Sequence, residues 1–290
     1  MAFSPSELIL NADGSIYHLN LHPEDIAETI FVVGDPNRVP AISKYFDTLE
    51  VQKTKREFVT HTGYLGGKRF SVLSTGIGTG NIDIVMNELD ALANIDLSTS
   101  EVKEAKKALN IIRIGTCGGL QKDIPVDTIL LSETGIGLDG LLHFYDSGHV
   151  QNLELRDQLE AKFDFGTGGI RPYAFDASEN LMKRFDKNRI RFGTTLTNIG
   201  FYGPQGRNLR IPPRFQDLIK SLAQLDLDGR KITNLEMETA AIYGLALLLG
   251  HNALSLNVVL ANRTRGEFSS NPQQSIDTLI KYGLEHLTAS

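Results

Sequence analysis

Glu236-Met237-Glu238 sets two carboxylates around a methionine, between the strand-like Lys231–Leu235 and an apolar helical stretch from Thr239 to Leu249. Carboxylates are costly to bury without partners. Residues two apart on a helix point to different sides, so this is not a surface ion-pair ladder. A strand-to-helix junction can aim carboxylates into a cleft, with Met237 as an adaptable apolar wall. The ligand that suits such a site is a sugar diol, because one carboxylate accepts hydrogen bonds from two neighbouring hydroxyls. Acidic residues also favour the first turn of any helix, where they oppose the dipole. The reading as a site therefore depends on what else the chain brings to the same place.

Arg113 stands at the end of the apolar run Asn110–Ile114. A charge there needs an anion or a carboxylate, or must reach solvent. Thr116, expected just past the strand, offers a hydroxyl to the same anion. Gly34-Asp35-Pro36-Asn37-Arg38 follows a strand and opens a helix. Glycine permits close approach, proline suits the first turn, and free amides with Arg38 attract an anion; a plain strand-to-helix turn uses the same residues. Gly76-x-Gly78-x-Gly80 lacks the third glycine of a dinucleotide fingerprint, Asn81 standing in its place, so a glycine-lined turn beside a small substrate is expected instead. Phe201-Tyr202-Gly203-Pro204-Gln205-Gly206-Arg207 combines an aromatic, an amide and a guanidinium, which can stack on a planar base and read its edge, or form an ordinary exposed turn. Arg56 and His18 have no such local context. No spacing of His, Cys, Asp and Glu reads as a metal site, and Cys117 has no nearby histidine to make a nucleophile pair.

Elements must bring these segments together. Thr29–Val33, Phe70–Ser74, Asn110–Ile114, Gly193–Thr197, Ile232–Leu235 and Leu254–Ala261 read as strands alternating with helices, the last near Pro272–Leu287. That pattern predicts a mainly parallel sheet covered on both faces. In such sheets ligands sit beyond the carboxyl ends of the strands, which is where the candidate segments fall. Asp96–Lys107 is polar and expected to be an exposed loop or helix extension. No linker divides residues 1–290, so one domain is expected. A net charge of −6 argues against general nucleic-acid binding. One cysteine fits a reducing, cytoplasmic setting. No apolar run is long enough for a membrane span, and no secretory signal is visible.

Taken together, the segments resemble the nucleoside phosphorylases of the uridine phosphorylase type. The motifs run in one order: Gly34-Asp35-Pro36-Asn37-Arg38, Lys55-Arg56-Glu57-Phe58, Ser74-Thr75-Gly76-Ile77-Gly78, Ile112-Arg113-Ile114-Gly115-Thr116, Phe201-Tyr202 through Gln205-Gly206-Arg207, Asn234-Leu235-Glu236-Met237-Glu238, and Asn262-Arg263-Thr264. The resemblance spans roughly His18 to Leu287. It implies a single α/β domain with a mixed, mainly parallel twisted sheet, partly closed into a barrel and flanked by helices. It also implies reversible phosphorolysis of a pyrimidine nucleoside, with inorganic phosphate as co-substrate and no cofactor or metal.

Carried over by position, Gly34, Arg38, Arg113 and Thr116 would hold phosphate, with Arg56 supplied by a neighbouring subunit. Glu236, Met237 and Glu238 would bind ribose, and His18 of the neighbour, with Tyr17 beside it, would touch its 5′ end. Phe201, Gln205, Arg207 and Arg263 would form the base site next to Thr116. Arg113, Gln205, Arg207 and Glu238 would act in catalysis. This sharing makes a dimer the minimum, and a hexamer made of dimers follows the same pattern. Purine-specific relatives carry an aspartate in the late loop, and the loop 262–267 has none; nucleosidases do not need the phosphate arginines. Those two enzymes, and a non-catalytic nucleoside-binding protein, are the alternatives. Two departures stand out. Asp96–Lys107 is longer than in the compact bacterial members, and Asn81 replaces the serine that, with the match of Glu57, helps hold a monovalent cation between subunits in some relatives.

Overall fold

The run Thr29–Val33 forms β1, and all but its first residue are buried, as a strand covered on both faces requires. The computed structural model describes residues 2–164 and 169–288. In chain order the elements after β1 are α1 (Arg38–Ser43), β2 (Thr48–Lys55), β3 (Phe58–Leu65), β4 (Lys68–Ser74), α2 (Thr79–Asn94), β5 (Ile95–Asp96), β6 (Glu101–Val102), β7 (Asn110–Gly119) and β8 (Ile129–Gly137). Then come α3 (Leu153–Lys162), β9 (Tyr173–Asp176), α4 (Glu179–Met182), β10 (Arg191–Thr197), α5 (Leu218–Gln224), β11 (Ile232–Glu236), α6 (Thr239–Leu249), β12 (Asn252–Asn262), β13 (Glu267–Phe268) and α7 (Pro272–Thr288). Among the described residues no helix is long and apolar enough to cross a membrane.

The eleven-stranded sheet turns on β7. Its first half, Asn110–Arg113, pairs in parallel with β1. Its last two residues, Gly118 and Gly119, pair antiparallel with β11. Its other edge runs parallel to β12 along the whole length. With β12–β8, β8–β10 and β10–β11 also paired, β7, β12, β8, β10 and β11 close into a barrel. Strands β1, β4, β3 and β2 leave β7 as an open flap, while β9 and β13 pair on the outer ends of β8 and β12. The strand read from sequence as ending at Ile114 therefore runs on to Gly119, and Thr116 lies inside it rather than past it. Glycines hid this continuation. They are needed because the strands close tightly: a methyl on Gly119 would lie 3.0 Å from Val259 Cγ1.

Two further features escaped the sequence reading. The antiparallel meander β2–β3–β4 was not expected where only Phe70–Ser74 looked like strand, because β2 is mostly exposed and its polar alternation has no apolar run. Asp96–Lys107 is neither a plain loop nor a helix extension, for β5 and β6 form a small hairpin. It folds back on the end of α2, where the Lys103 ammonium donates to the carbonyls of Ala93 and Leu92, a favoured place for a cation. Most of the stretch is exposed, as expected. Helix α6 is buried along most of its length and packs beside α2 and the barrel strands, so its N-terminus is fixed in the protein interior.

Candidate active site

The N-terminus of α6 is where Glu236 and Glu238 fall, and the structure gives the two carboxylates different work. Glu236 is the last residue of β11. Its Oε1 accepts from Thr197 Oγ1 at 2.6 Å, and its Oε2 from the amides of Glu238 and Thr239, both at 3.0 Å. It ties the strand end to the first turn of the helix, leaving little of it for the sugar contact expected from sequence. Glu238 is less used. Its Oε1 accepts from the Gly78 amide at 2.7 Å and its Oε2 from Arg113 Nη2 at 2.5 Å. Each oxygen keeps a further lone pair, so this carboxylate can still serve a diol.

Gly78 approaches because its backbone sits at φ 91°, in the region that favours glycine. The glycine turn thus addresses the carboxylate, and Met237 Cε comes within 4.0 Å of where a Gly78 methyl would stand.

Arg113 resolves its buried charge with carboxylates. Besides Glu238 it meets Glu236 Oε2 at 3.1 Å, and its Nη1 donates to Asn257 Oδ1 at 2.5 Å. Burial works against its charge, but Glu236 and Glu238 outweigh that and hold its pKa above the ordinary value. Burial raises the pKa of Glu238 and Glu236 adds to the rise, while Arg113 opposes both. Arg38, from the start of α1, donates through Nη1 to the Ile114 carbonyl at 3.1 Å. Burial and then Arg113 pull its pKa down. The amides of Asn37 and Arg38 are taken by Asp35, so the pull on an anion here comes from the arginine side chain rather than from free helix amides.

The third group sits on the loop after β10. Gln205 is buried, and its Oε1 accepts from Arg207 Nη1 at 2.7 Å. That bond engages the amide oxygen and leaves the amide nitrogen as a donor. The Arg207 guanidinium lies 3.5 Å from the Phe201 ring centre, so one face of the expected stacking ring is already covered. Burial, with Arg263 nearby, pushes the pKa of Arg207 down to about 10, which keeps it charged at neutral pH. Arg263 donates to the Gln205 carbonyl at 3.0 Å and so fastens the loop.

These groups share one cleft of about 660 Å³, lined by Gly34, Arg38, Arg113, Thr116, Phe201, Gln205, Arg207, Glu236, Met237 and Glu238, together with Asp35, Glu57, Asn81 and others. Four expected residues are not among its walls: Arg263, which stands behind the loop it fastens, Arg56, His18 and Tyr17. Arg56 is exposed at the β2–β3 turn with φ 55°. His18 packs its ring near Phe58, with Nδ1 2.6 Å from Glu88 Oε1; Tyr17 lies against it. Leu260, Ala261 and Phe268 line the cleft without a sequence signal, whereas Asn257 had one, a lone amide in the apolar run Leu254–Val259. Cys117 also lines the cleft, but burial, with Glu236 adding, pushes its thiol up to about 12, so it is protonated and no nucleophile. Among the described residues no cluster of His, Cys, Asp and Glu could hold a metal ion.

The chain is similar to known proteins over most of its length. Residues 28–285 match the family model of the Phosphorylase superfamily. The chain is 30% identical over 272 residues to a uridine phosphorylase of Thermococcus kodakarensis, covering 92% of this chain and 84% of the relative. It is equally 30% identical over 275 residues to a DeoD-type purine nucleoside phosphorylase of Bacillus cereus, covering 92% and 97%. Among solved structures, a Trypanosoma brucei nucleoside phosphorylase described as showing uridine phosphorylase activity superposes with a TM-score of 0.86 at 29% identity, covering 98% of this chain and all of that one. With a barrel fed by an open flap, a carboxylate and arginine cluster at its strand ends, and a family match over almost its whole length, the chain belongs to the phosphorylase superfamily.

Proposed function

We propose that this enzyme catalyses the reversible phosphorolysis of uridine to uracil and ribose 1-phosphate. The observation that carries the reading is the meeting of three chemistries in one cleft: arginines from the turn after β1 and from within β7, Glu238 at the start of α6, and the Gln205–Arg207 pair on the loop after β10. Phosphate held by Arg38, Arg113, Thr116 and Gly34 attacks the anomeric carbon of the ribose. Its oxygen forms the new bond to that carbon while the bond to the base nitrogen breaks. The electron pair leaves with the base and spreads onto the pyrimidine carbonyls, where the Gln205 amide nitrogen and Arg207 meet the negative charge. Glu238 and Met237 hold the sugar hydroxyls and fix its orientation, which is positioning rather than covalent catalysis. No protein nucleophile takes part.

The relatives named for uridine and for purine nucleosides are equally similar in sequence, so the base wall supports the choice. A buried amide fixed by a guanidinium suits a pyrimidine's carbonyl and imide edge, and the loop 262–267 has no aspartate to protonate a purine. Release of free base from uridine and from inosine, each with and without phosphate, tests this. Phosphate-dependent release of uracil alone is expected. Release from inosine instead would transfer the reading to purine nucleosides, and release without phosphate would make the enzyme a nucleosidase.

Arg56 and His18 lie outside their own cleft, and the turn carrying Arg56 is exposed. Under the proposal they complete the phosphate and ribose 5′ sites of a second copy, which makes the active form a dimer or a hexamer made of three dimers. Arg56→Ala then raises the phosphate KM without unfolding the chain, and a fully active monomer would end the sharing idea. A cytoplasmic setting belongs to the same proposal.

A further inference from the structure

We propose that Asn257 is a positioning residue that holds Arg113 in the orientation that receives phosphate. The inference deepens the phosphorolytic reading and rests on it. Strands β7 and β12 are parallel, with Ser255 opposite Arg113 and Asn257 opposite Gly115. Arg113 and Gly115 are two apart and so share a face of β7. The Arg113 side chain lies back along its own strand over Gly115, since a methyl at that glycine would fall 1.8 Å from Arg113 Nη1 and 2.5 Å from Cζ. It would also fall 2.7 Å from Asn257 Oδ1. The empty side of Gly115 is therefore the space in which the guanidinium meets the amide.

The amide is itself held in one direction. Asn257 is fully buried, and its Nδ2 donates to Ser255 Oγ at 3.1 Å and lies 3.4 Å from Ser132 Oγ. Ser255 Oγ pairs with Thr239 Oγ1 at 2.9 Å, and Ser132 Oγ with Thr195 Oγ1 at 2.5 Å. These hydroxyls line the barrel interior and fix the amide nitrogen on their side, which turns Oδ1 toward Arg113. A flipped amide would set a donor against a donor. The guanidinium is thus gripped at both ends, at Nη2 by Glu238 and at Nη1 by Asn257. With the carboxylate grip alone, the group would turn about that end and swing toward the carboxylates, away from an anion entering by Arg38.

The residue type matters as much as the contact. Arg38 and Arg113 stand against Glu236 and Glu238, with Asp35 beside Arg38, so the two arginines already face more carboxylates than they can neutralise. Asn257 supplies an acceptor without adding a negative charge. An aspartate of the same shape would keep the grip and oppose the incoming phosphate.

The test is steady-state kinetics on the full-length enzyme with uridine and inorganic phosphate varied independently, for the wild type, Asn257→Ala and Asn257→Asp. Thermal melting with and without phosphate is measured alongside. Asn257→Ala is expected to raise the phosphate KM about tenfold, the usual worth of a hydrogen bond to a charged group, and to leave the uridine KM within about threefold. Asn257→Asp, which is close in size and leaves no cavity, is expected to raise the phosphate KM further and to lose the phosphate-induced rise in melting temperature. A purely structural role moves melting temperature or kcat and leaves the two KM values in their wild-type ratio. Unchanged KM values in folded variants, or equal changes in both, would overturn the assignment while leaving a phosphate-dependent wild type intact. A wild type that releases uracil without phosphate would overturn the phosphorolytic reading, and the role of Asn257 with it.

Discussion

At the strand-end wall of the cleft Arg113 and Glu238 are 6% and 5% exposed, and their partners come from β11, β12 and the turn before α2. At the loop wall Phe201 is 49% exposed; its ring partner Arg207, and Gln205 bonded to that arginine, lie on the same loop, fastened by one bond from Arg263. The first wall is made of parts that the fold itself needs. The second is a loop laid on that frame. Charge development at the sugar and phosphate calls for groups fixed in a water-poor setting before the reaction starts. Base choice can be changed by a loop without disturbing the core.

The comparison is broken most severely by removing Arg113. Arg113→Leu leaves Glu236 and Glu238 buried beside each other with no counter-charge, and Arg38 nearby engaged with a carbonyl. Breaking a buried ion pair in this way costs about 3–5 kcal/mol, so denaturant unfolding should show a large loss of stability together with loss of activity. A stability change below about 1 kcal/mol would mean that this wall is not part of the frame.

Glu238→Gln is gentler, because the amide keeps the shape and an acceptor for Gly78. Losing the charge at the diol should lower kcat/KM for the nucleoside about 10–100-fold. The pH profile adds a sharper check. Burial, with Glu236 adding to it, raises the pKa of Glu238 above the ordinary carboxylate value. A folded-state pKa above the unfolded one means that the group favours the folded state at pH below the unfolded value. That contribution is lost as pH rises through the folded pKa, and the carboxylate needed by the diol appears over the same interval. The acid limb of kcat/KM in the wild type is therefore expected above the usual carboxylate range, and Glu238→Gln should lack it. An acid limb unchanged in the variant would assign it to another group.

The same contrast explains what was legible in the sequence. Thr29–Val33 and the site motifs at strand ends could be read because an apolar run and the turn after it are local signals. Arg113 announced itself as a charge in an apolar run, but its partners did not. Asn257 and Glu236 meet it only because β7 pairs with β12 and approaches β11. The unequal use of Glu236 and Glu238 was likewise hidden, since it depends on Thr197 arriving from β10 and Gly78 from the turn before α2. Barrel closure came from the resemblance rather than from periodicity, because the glycines of 115–119 that permit it also erase the strand pattern. The exposed β2 of the flap had no apolar signature at all.

Gln205→Ala examines the loop wall, with the smallest expected effect on the fold. The amide is buried, but its oxygen is bonded to Arg207 within the same loop, and the loop's hold on the body runs through its backbone carbonyl to Arg263. The backbone bond survives the substitution. The melting temperature should therefore stay close to wild type, with any change in stability about 1 kcal/mol or less. Activity should respond through the base alone: kcat/KM for uridine falls about tenfold, as for loss of one hydrogen bond to developing charge, while the phosphate KM is unmoved. Arg207, freed from its neighbour, still lies over Phe201 and keeps a cation at this wall, which limits the loss. A variant that lost stability as Arg113→Leu does would erase the distinction between frame and loop. One with an unchanged kcat/KM would remove Gln205 from base recognition and leave Arg207 to carry it.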